Sequence, residues 1–180
     1  MSKIGKKNII IPKDSSIKIE GADLTISGPK GTKKLTINDK IFSSKLNESE
    51  FQIQPLKKKI DKKTSIMWGT YRSLVNNAVL GVSSGHEKIL ELNGVGFRAN
   101  LEGEVLNLQI GFSHDVNFKI PKDVKISVEK QTTIKINGVD KELVSKIAAD
   151  IKSLKPVEPY KGKGIKEKGQ FVLRKEGKKK

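Results

Sequence analysis

The chain has 180 residues, which is enough for one ordinary domain or two small ones. Its 36 Lys and Arg residues against 20 acidic residues give a net charge of +16, which favours a polyanionic partner. The absence of cysteine excludes disulfides and thiolate zinc sites, and no apolar run approaches the roughly 20 residues of a membrane-spanning helix. The start of the chain also lacks the pattern of a signal peptide, so we expect a cytoplasmic location.

The first half of the chain predicts short strands followed by one helix. Aliphatic residues alternate with polar ones, as in half-buried strands, in four segments: 17–19, 24–26, 35–37 and 51–53. Gly28-Pro29-Lys30-Gly31 predicts a hairpin turn. The same four residues match the bare GxxG of an RNA-clamping loop, but that loop joins helices rather than strands. Apolar residues at spacings of three and four then predict a helix over 64–82.

The second half predicts more strands and a second helix. Strand patterns occur at 89–92, 95–99, 105–112, 116–120, 124–128 and 134–136. Asp140 is the predicted N-cap of a helix whose apolar stripe runs from Leu143 to Leu154. Pro156 ends that helical pattern.

Two short sequences recur at nearly constant spacing. Residues 11–14, IPKD, recur as residues 120–123, and residues 26–28, ISG, recur as ING at residues 136–138. The two offsets are 109 and 110 residues, which indicates a duplication.

These elements predict an α+β fold of two tandem duplicated domains, each a small, mostly antiparallel sheet packed with one helix. Gly, Ser and a lone His interrupt the pattern near residues 82–86. We therefore place an N-terminal domain at residues 1–82 and a C-terminal domain, which includes a basic RNA-binding tail, at residues 83–180.

Candidate catalytic groups are few. A strand would point Ser113, His114 and Asp115 to alternate faces, so they cannot form a relay, and His86 lies in the predicted link between domains. Residues 94–99 superficially resemble a dinucleotide-binding loop, but a strand pattern rather than a helix follows them. We therefore expect no catalytic, cofactor or metal residues and no small-molecule substrate. An enzyme or small-ligand module that uses the His114 region stays the rival interpretation.

Aromatic residues at strand positions test for base-specific recognition. An RNA-recognition sheet presents exposed aromatics in a set pattern. Phe97, Phe112 and Phe118 instead fit the buried alternation of their strands, so we expect them to pack in the core rather than to stack on bases.

Positive charge is concentrated at the ends of the chain. Residues 151–180 hold eleven Lys or Arg and three acids, which is half of the net charge. Within them, residues 158–165, EPYKGKGI, combine a tyrosine with two Lys-Gly pairs, which suits close approach to a phosphate backbone. Tyr160 either stacks on a base or fixes the loop. Residues 170–174 are apolar enough to pack back or to form a strand, whereas a charge run is ordinarily a solvated tail.

The predicted RNA-binding residues are Tyr160, Lys161, Gly162, Lys163, Gly164, Lys166, Lys168, Arg174, Lys175, Lys178, Lys179 and Lys180, with Lys3, Lys6 and Lys7 at the N-terminus.

Residues 158–165 closely resemble the signature of the large-subunit ribosomal protein six family, bacterial type. The resemblance covers essentially the whole chain, in the expected order, through SKIGK at 2–6, ISGPKG at 26–31, WGTYR at 68–72, GVGFRA at 94–99 and GFSH at 111–114. Three positions depart from the family pattern. Val157 replaces a small residue or proline, Asp115 replaces a proline, and Lys166-Glu167 replaces a typical Arg-Tyr pair.

The resemblance implies a structural component of the large ribosomal subunit with no catalytic activity and no cofactor. It implies binding to large-subunit (23S-type) rRNA, mainly through the second domain and the tail. The implied place is near the stalk base and the sarcin–ricin loop, where translation factors act. Neighbouring large-subunit ribosomal proteins are implied partners, while a membrane and a homo-oligomer are not expected.

Overall fold

The computed structural model describes residues 2–47, 49–57 and 60–177, and within them the chain forms thirteen strands and two helices. These elements make two compact units, Met1–His86 with Val139–Lys141, and Glu87–Gly138 with Glu142–Lys180. The α+β class is therefore confirmed. The domain ranges 1–82 and 83–180 stay a prediction.

The first unit has two three-stranded sheets and one helix. Its elements are β1 (Ile9–Ile10), β2 (Ser16–Glu20), β3 (Asp23–Gly28), β4 (Gly31–Thr36), β5 (Phe42–Leu46), β6 (Glu50–Pro55) and α1 (Lys62–Ser83). The sheet orders are β1-β6-β5 and β2-β3-β4, and their strand pairs are antiparallel. Helix α1 buries Trp68, Val75 and Val79 in the core that the strands supply. The indole Nε1 of Trp68 donates to the carbonyl oxygen of Ile53 at 2.8 Å, which ties α1 to β6.

The β3–β4 hairpin is the turn that the sequence predicts. Gly28 pairs with Gly31 across a two-residue loop, so the segment joins strands and not helices. A Cβ on Gly28 would lie 2.6 Å from the carbonyl oxygen of Val82, and the Lys30 N–H donates to that oxygen at 3.0 Å. The glycine is needed because the hairpin packs directly on the backbone of α1.

The second unit has a four-stranded sheet, a three-stranded sheet and one helix. Its elements are β7 (His86–Asn93), β8 (Arg98–Glu102), β9 (Val105–Gln109), β10 (Val116–Lys119), β11 (Val124–Glu129), β12 (Thr133–Gly138), α2 (Lys141–Leu154) and β13 (Gly164–Glu167). The sheet orders are β11-β12-β7-β13 and β10-β9-β8. Helix α2 begins directly after the predicted N-cap Asp140 and buries Val144, Ile147 and Ile151 in a second core.

The two units repeat one order of elements. Sheet β2-β3-β4 corresponds to β8-β9-β10, sheet β1-β6-β5 to β7-β12-β11, and α1 to α2. Strand β2 begins at residue 16 and β8 at residue 98, so these equivalent strands start 82 residues apart. Strands β5 and β11, which begin at residues 42 and 124, have the same spacing. The predicted duplication is confirmed.

The two short sequences that recur, IPKD and ISG/ING, do not lie at equivalent positions of the two units. Residues 26–28 end β3, whereas residues 136–138 end β12, which corresponds to β6. The IPKD copies are alike because each forms the same turn before a strand. The Ser15 N–H donates to the Pro12 carbonyl at 3.0 Å, and the Val124 N–H donates to the Pro121 carbonyl at 3.2 Å. A shared turn chemistry therefore produced an offset of about 110 residues that the fold does not have.

The strand predicted at residues 95–99 is wrong in its first part. Residues 94–97 form a turn, in which the Phe97 N–H lies 3.3 Å from the Gly94 carbonyl oxygen, and β8 begins only at Arg98. A Cβ on Gly94 would lie 2.8 Å from the Phe97 ring, so this glycine lets the ring fold back over the turn.

Candidate nucleic-acid interface

The residues between α2 and β13 form a closed loop, which we call the lip (residues 155–163). The Glu158 N–H donates to the Lys163 carbonyl at 2.8 Å, and the Gly162 N–H donates to the Glu158 carbonyl at 3.0 Å. Gly162 has a φ of 70°, a left-handed conformation that glycine adopts without steric cost. The lip therefore presents Tyr160 and Lys161 from a fixed backbone, and both side chains are exposed.

Strand β13 joins the lip to the core of the second unit. Ile165 is fully buried, pairs with Leu92 of β7, and donates its N–H to the Lys155 carbonyl at 2.9 Å. Gly164 has a φ of 134°, and a Cβ there would lie 2.7 Å from the Pro156 oxygen. Packing within the unit thus requires glycine at this buried position. Contact between its backbone and RNA stays a prediction.

Charged side chains of β13 pair with other elements of the unit. The Glu167 carboxylate accepts from Lys88 at 2.8 Å and from Lys152 at 3.0 Å, and these two bonds lower its pKa. Lys166 Nζ lies 3.1 Å from a carboxylate oxygen of Glu91. Lys166 and Glu167 therefore take part in a local ion-pair network that fastens β13 to β7 and α2.

A cleft of about 280 Å³ lies beside the lip, and four predicted RNA-binding cations line it. These cations are Lys161, Lys163, Lys166 and Arg174. Asn93, Gln170 and Phe171 also line the cleft, which gives it polar groups and one aromatic ring. The Lys175 N–H donates to the Pro159 carbonyl at 2.9 Å, so the segment that carries Arg174 is tied back to the lip.

Five further predicted lysines belong to the described residues, and none of them lines this cleft. Lys168 and Lys175 are exposed in the second unit. Lys3, Lys6 and Lys7 are exposed in the first unit, on an arm that Arg72 holds through bonds of 3.2 Å to the carbonyls of Lys7 and Asn8. Lys178, Lys179 and Lys180 lie outside the described residues.

Two expectations about apolar side chains need correction. Residues 171–177 form no strand, so of the two alternatives for residues 170–174 the strand is wrong, and Phe171 and Leu173 are 86% and 73% exposed. Phe97 is buried, but Phe112 is 47% exposed, so the prediction of core packing for Phe112 is wrong. Strand β9 ends at Gln109, and residues 111–113 bend away, so the buried alternation does not reach Phe112.

The described part of the chain has neither a membrane-spanning helix nor a cluster of metal-binding side chains. No helix there is long and apolar enough to cross a membrane. No group of three or more His, Cys, Asp or Glu side chains there is placed to hold a metal ion. His86 has its Nε2 atom 2.8 Å from the Asn77 carbonyl oxygen, a contact with the backbone of α1.

Fold and site together define a class: an α+β protein of two duplicated units with a cationic cleft on the second. The family described as Ribosomal protein L6 matches residues 11–85 and 93–168, and the two matches start 82 residues apart, as the equivalent strands do. Similar proteins named "Large ribosomal subunit protein uL6" occur in Beijerinckia indica and Paracoccus denitrificans, 46% and 45% identical over all of both chains. The protein of that name in Staphylococcus epidermidis is 46% identical over 99% of this chain and 98% of its own length. The chain belongs to the ribosomal protein L6 family, which confirms the predicted family of structural, non-enzyme proteins.

Proposed function

We propose that the protein is a structural constituent of the large ribosomal subunit that binds large-subunit rRNA through the cleft beside the lip. The observation that carries this proposal is the gathering of Lys161, Lys163, Lys166 and Arg174 around one cleft. Family membership supports the identity of the polyanion, since similar proteins are named as large-subunit proteins.

The mechanism is electrostatic and depends on shape. Lys161 and Lys163 are exposed and supply compact charges, while the planar guanidinium of Arg174 suits bidentate contact with a phosphate. Lys166 is paired with Glu91, so it adds less net charge to the cleft. Since the lip is closed by backbone hydrogen bonds before RNA arrives, little conformational entropy is lost on binding.

Tyr160 has two possible roles that one experiment separates. Its ring is 54% exposed at the tip of the lip, which suits stacking on a base, while its backbone belongs to the closed loop. Tyr160→Phe and Tyr160→Ala are both expected to keep the fold, because the ring is not in the core. Weaker RNA binding by the alanine variant alone would assign the stacking role.

The wider setting is part of the same proposal. We infer a position near the stalk base and the sarcin–ricin loop of cytoplasmic ribosomes, next to other large-subunit ribosomal proteins, as a single copy and without catalytic activity. Photo-crosslinking from position 160 in assembled subunits, followed by mapping of the attached nucleotides, tests that position. Crosslinks confined to RNA far from the sarcin–ricin loop would refute it.

The decisive variant is Lys161→Ala with Lys163→Ala. We expect weaker binding to a large-subunit rRNA transcript and a salt slope of log affinity that is smaller by about 0.7–0.9 for each phosphate that is no longer neutralised. The matched control is Lys122→Ala with Lys125→Ala, which removes the same charge from exposed residues near β11, at the opposite edge of the sheet from β13. Equal affinity and slope for both double variants would mean that the cleft has no special role.

Sedimentation separates the proposal from the rival enzyme or small-ligand module. We expect the protein to migrate with large subunits in cell lysate at both low and high salt. Free protein at both salt concentrations would favour the rival.

A further inference from the structure

The bend between β9 and β10 exposes an aromatic side chain in a second place on the same unit. Phe112 is 47% exposed, and all of residues 111–115 are exposed around it. The Gln109 side-chain amide donates to the Asp115 carboxylate at 3.2 Å, which links the two ends of the bend. A large apolar ring held at the surface of a braced bend contributes little to the core of the unit.

Two other side chains complete this surface. The His114 ring lies nearly parallel to the Phe112 ring, at 19° and with 6.4 Å between centroids. The two rings therefore form an offset stacked pair at the surface. Lys155 Nζ lies over the Phe112 ring, 4.4 Å from its centroid, so a cation covers one face of the ring and a base would stack on the other.

We propose that Phe112 and His114 form a platform on which one unpaired RNA base stacks, with Lys155 contacting the phosphate of that nucleotide. A stacked aromatic pair with a cation at one ring offers partners for the two parts of a nucleotide, the base and its phosphate. The inference rests on the proposed rRNA binding and adds a second contact to it, of a different physical kind.

The platform is connected to the lip through Lys155. The carbonyl of Lys155 accepts the N–H of Ile165, the buried residue of β13, while its ammonium group lies at Phe112. Lys155 thus contacts both β13, through its backbone, and the Phe112 ring, through its side chain.

Stacking and phosphate contact differ in their dependence on salt. Base stacking releases no counterions, whereas each phosphate contact does. We expect Phe112→Leu to weaken binding to a full-length large-subunit rRNA transcript by about fivefold to a hundredfold, with a salt slope that changes by no more than the single phosphate contact of Lys155. The cleft variant, Lys161→Ala with Lys163→Ala, is instead expected to lower the slope.

Two further variants make the test specific to the ring. Phe112→Trp keeps a flat aromatic surface, so it should retain affinity, and its indole fluorescence should change when RNA binds, beyond the signal of Trp68 in the parent protein. Leu101→Ala removes another exposed apolar side chain, from β8 of the same sheet, and should leave affinity unchanged. Circular dichroism of each variant checks that the unit is folded.

The outcomes of the platform and of the cleft are distinguishable. Unchanged affinity of Phe112→Leu, or no fluorescence change in Phe112→Trp, overturns the platform whatever the cleft variant does. A salt slope in Phe112→Leu that falls by more than one phosphate contact, or an equal loss of affinity in Leu101→Ala, also overturns stacking as the cause. Weakened binding by Phe112→Leu with a neutral cleft variant would keep the platform and refute the cleft.

Discussion

Within the part of the chain that the structure describes, the two units share an order of strands and a helix, but the second has one strand more. In the first unit β1 is an edge strand of its sheet, whereas in the second the equivalent β7 is covered by β13. The added strand begins at Gly164, directly after the lip with its cleft lysines. The duplicated scaffold thus supplies two similar cores, and the candidate site comes from the segment that only the second copy carries.

The added strand is part of the second core and not a covering tail. Ile165 is fully buried in the same cluster as Leu90 and Ile151, from β7 and α2. Among the described residues of the first unit no strand corresponds to β13, and its core packs around Trp68, Phe51 and Ile53. We therefore expect changes that weaken β13 to affect the second unit selectively.

The largest expected effect follows from Ile165→Ala. Removal of a fully buried isoleucine side chain should lower the free energy of unfolding of the second unit by about 3–4 kcal/mol, and Ile165→Val by about 1 kcal/mol. Urea unfolding followed by circular dichroism measures the loss. Trp68, the single tryptophan, lies in the first unit, so its fluorescence should show a smaller shift. A loss of less than about 1 kcal/mol for the alanine variant would mean that β13 contributes little to the stability of the second unit.

A smaller effect is expected from Gly164→Ala. The new Cβ would meet the backbone of Pro156 and Val157 at 2.7 Å, and the left-handed φ adds strain, so about 2–3 kcal/mol should be lost. Gly169→Ala is the matched control, because Gly169 has a φ of 81° and nothing within 4 Å of its added Cβ. That control should cost about 1 kcal/mol. Thermal melts of both variants measure the difference. Equal losses of stability would show that the backbone near Pro156 shifts to make room for the new Cβ.

The smallest effect is expected from Glu167→Gln. The Glu167 side chain is 31% exposed, so solvent screening limits the loss to about 1 kcal/mol or less at neutral pH. The folded-state pKa of Glu167 is lowered by Lys88 and Lys152. Its contribution is therefore present above the unfolded-state value of about 4.3 and disappears as pH falls through the folded-state value.

Unfolding experiments at several pH values check this sign. The stabilities of the parent protein and Glu167→Gln should converge in acid. Glu129→Gln is the control, since Glu129 pairs with Lys135 at 2.6 Å but is 54% exposed and should matter less. A stability gap that persists in acid would show that the carboxylate is not the cause.

Local patterns were sufficient for the types of most elements. The helix predicted at 64–82 is α1 at Lys62–Ser83, and the GPKG turn is the β3–β4 hairpin. These predictions succeeded because helical periodicity and turn chemistry depend on neighbours a few residues away. The repeat offset failed for the same reason, since a local turn recurs wherever a strand needs it.

The sequence by itself determined the class, the duplication, the family and the set of cations near the end of the chain. Only the tertiary structure decided how those cations are used. It placed Lys161, Lys163, Lys166 and Arg174 around one cleft, paired Lys166 with Glu91, and left Phe112 exposed. The pairing of β13 with β7 joins residues more than 70 positions apart. Such a pairing depends on which strand edge the folded unit leaves unpaired, and short-range patterns carry no information about that.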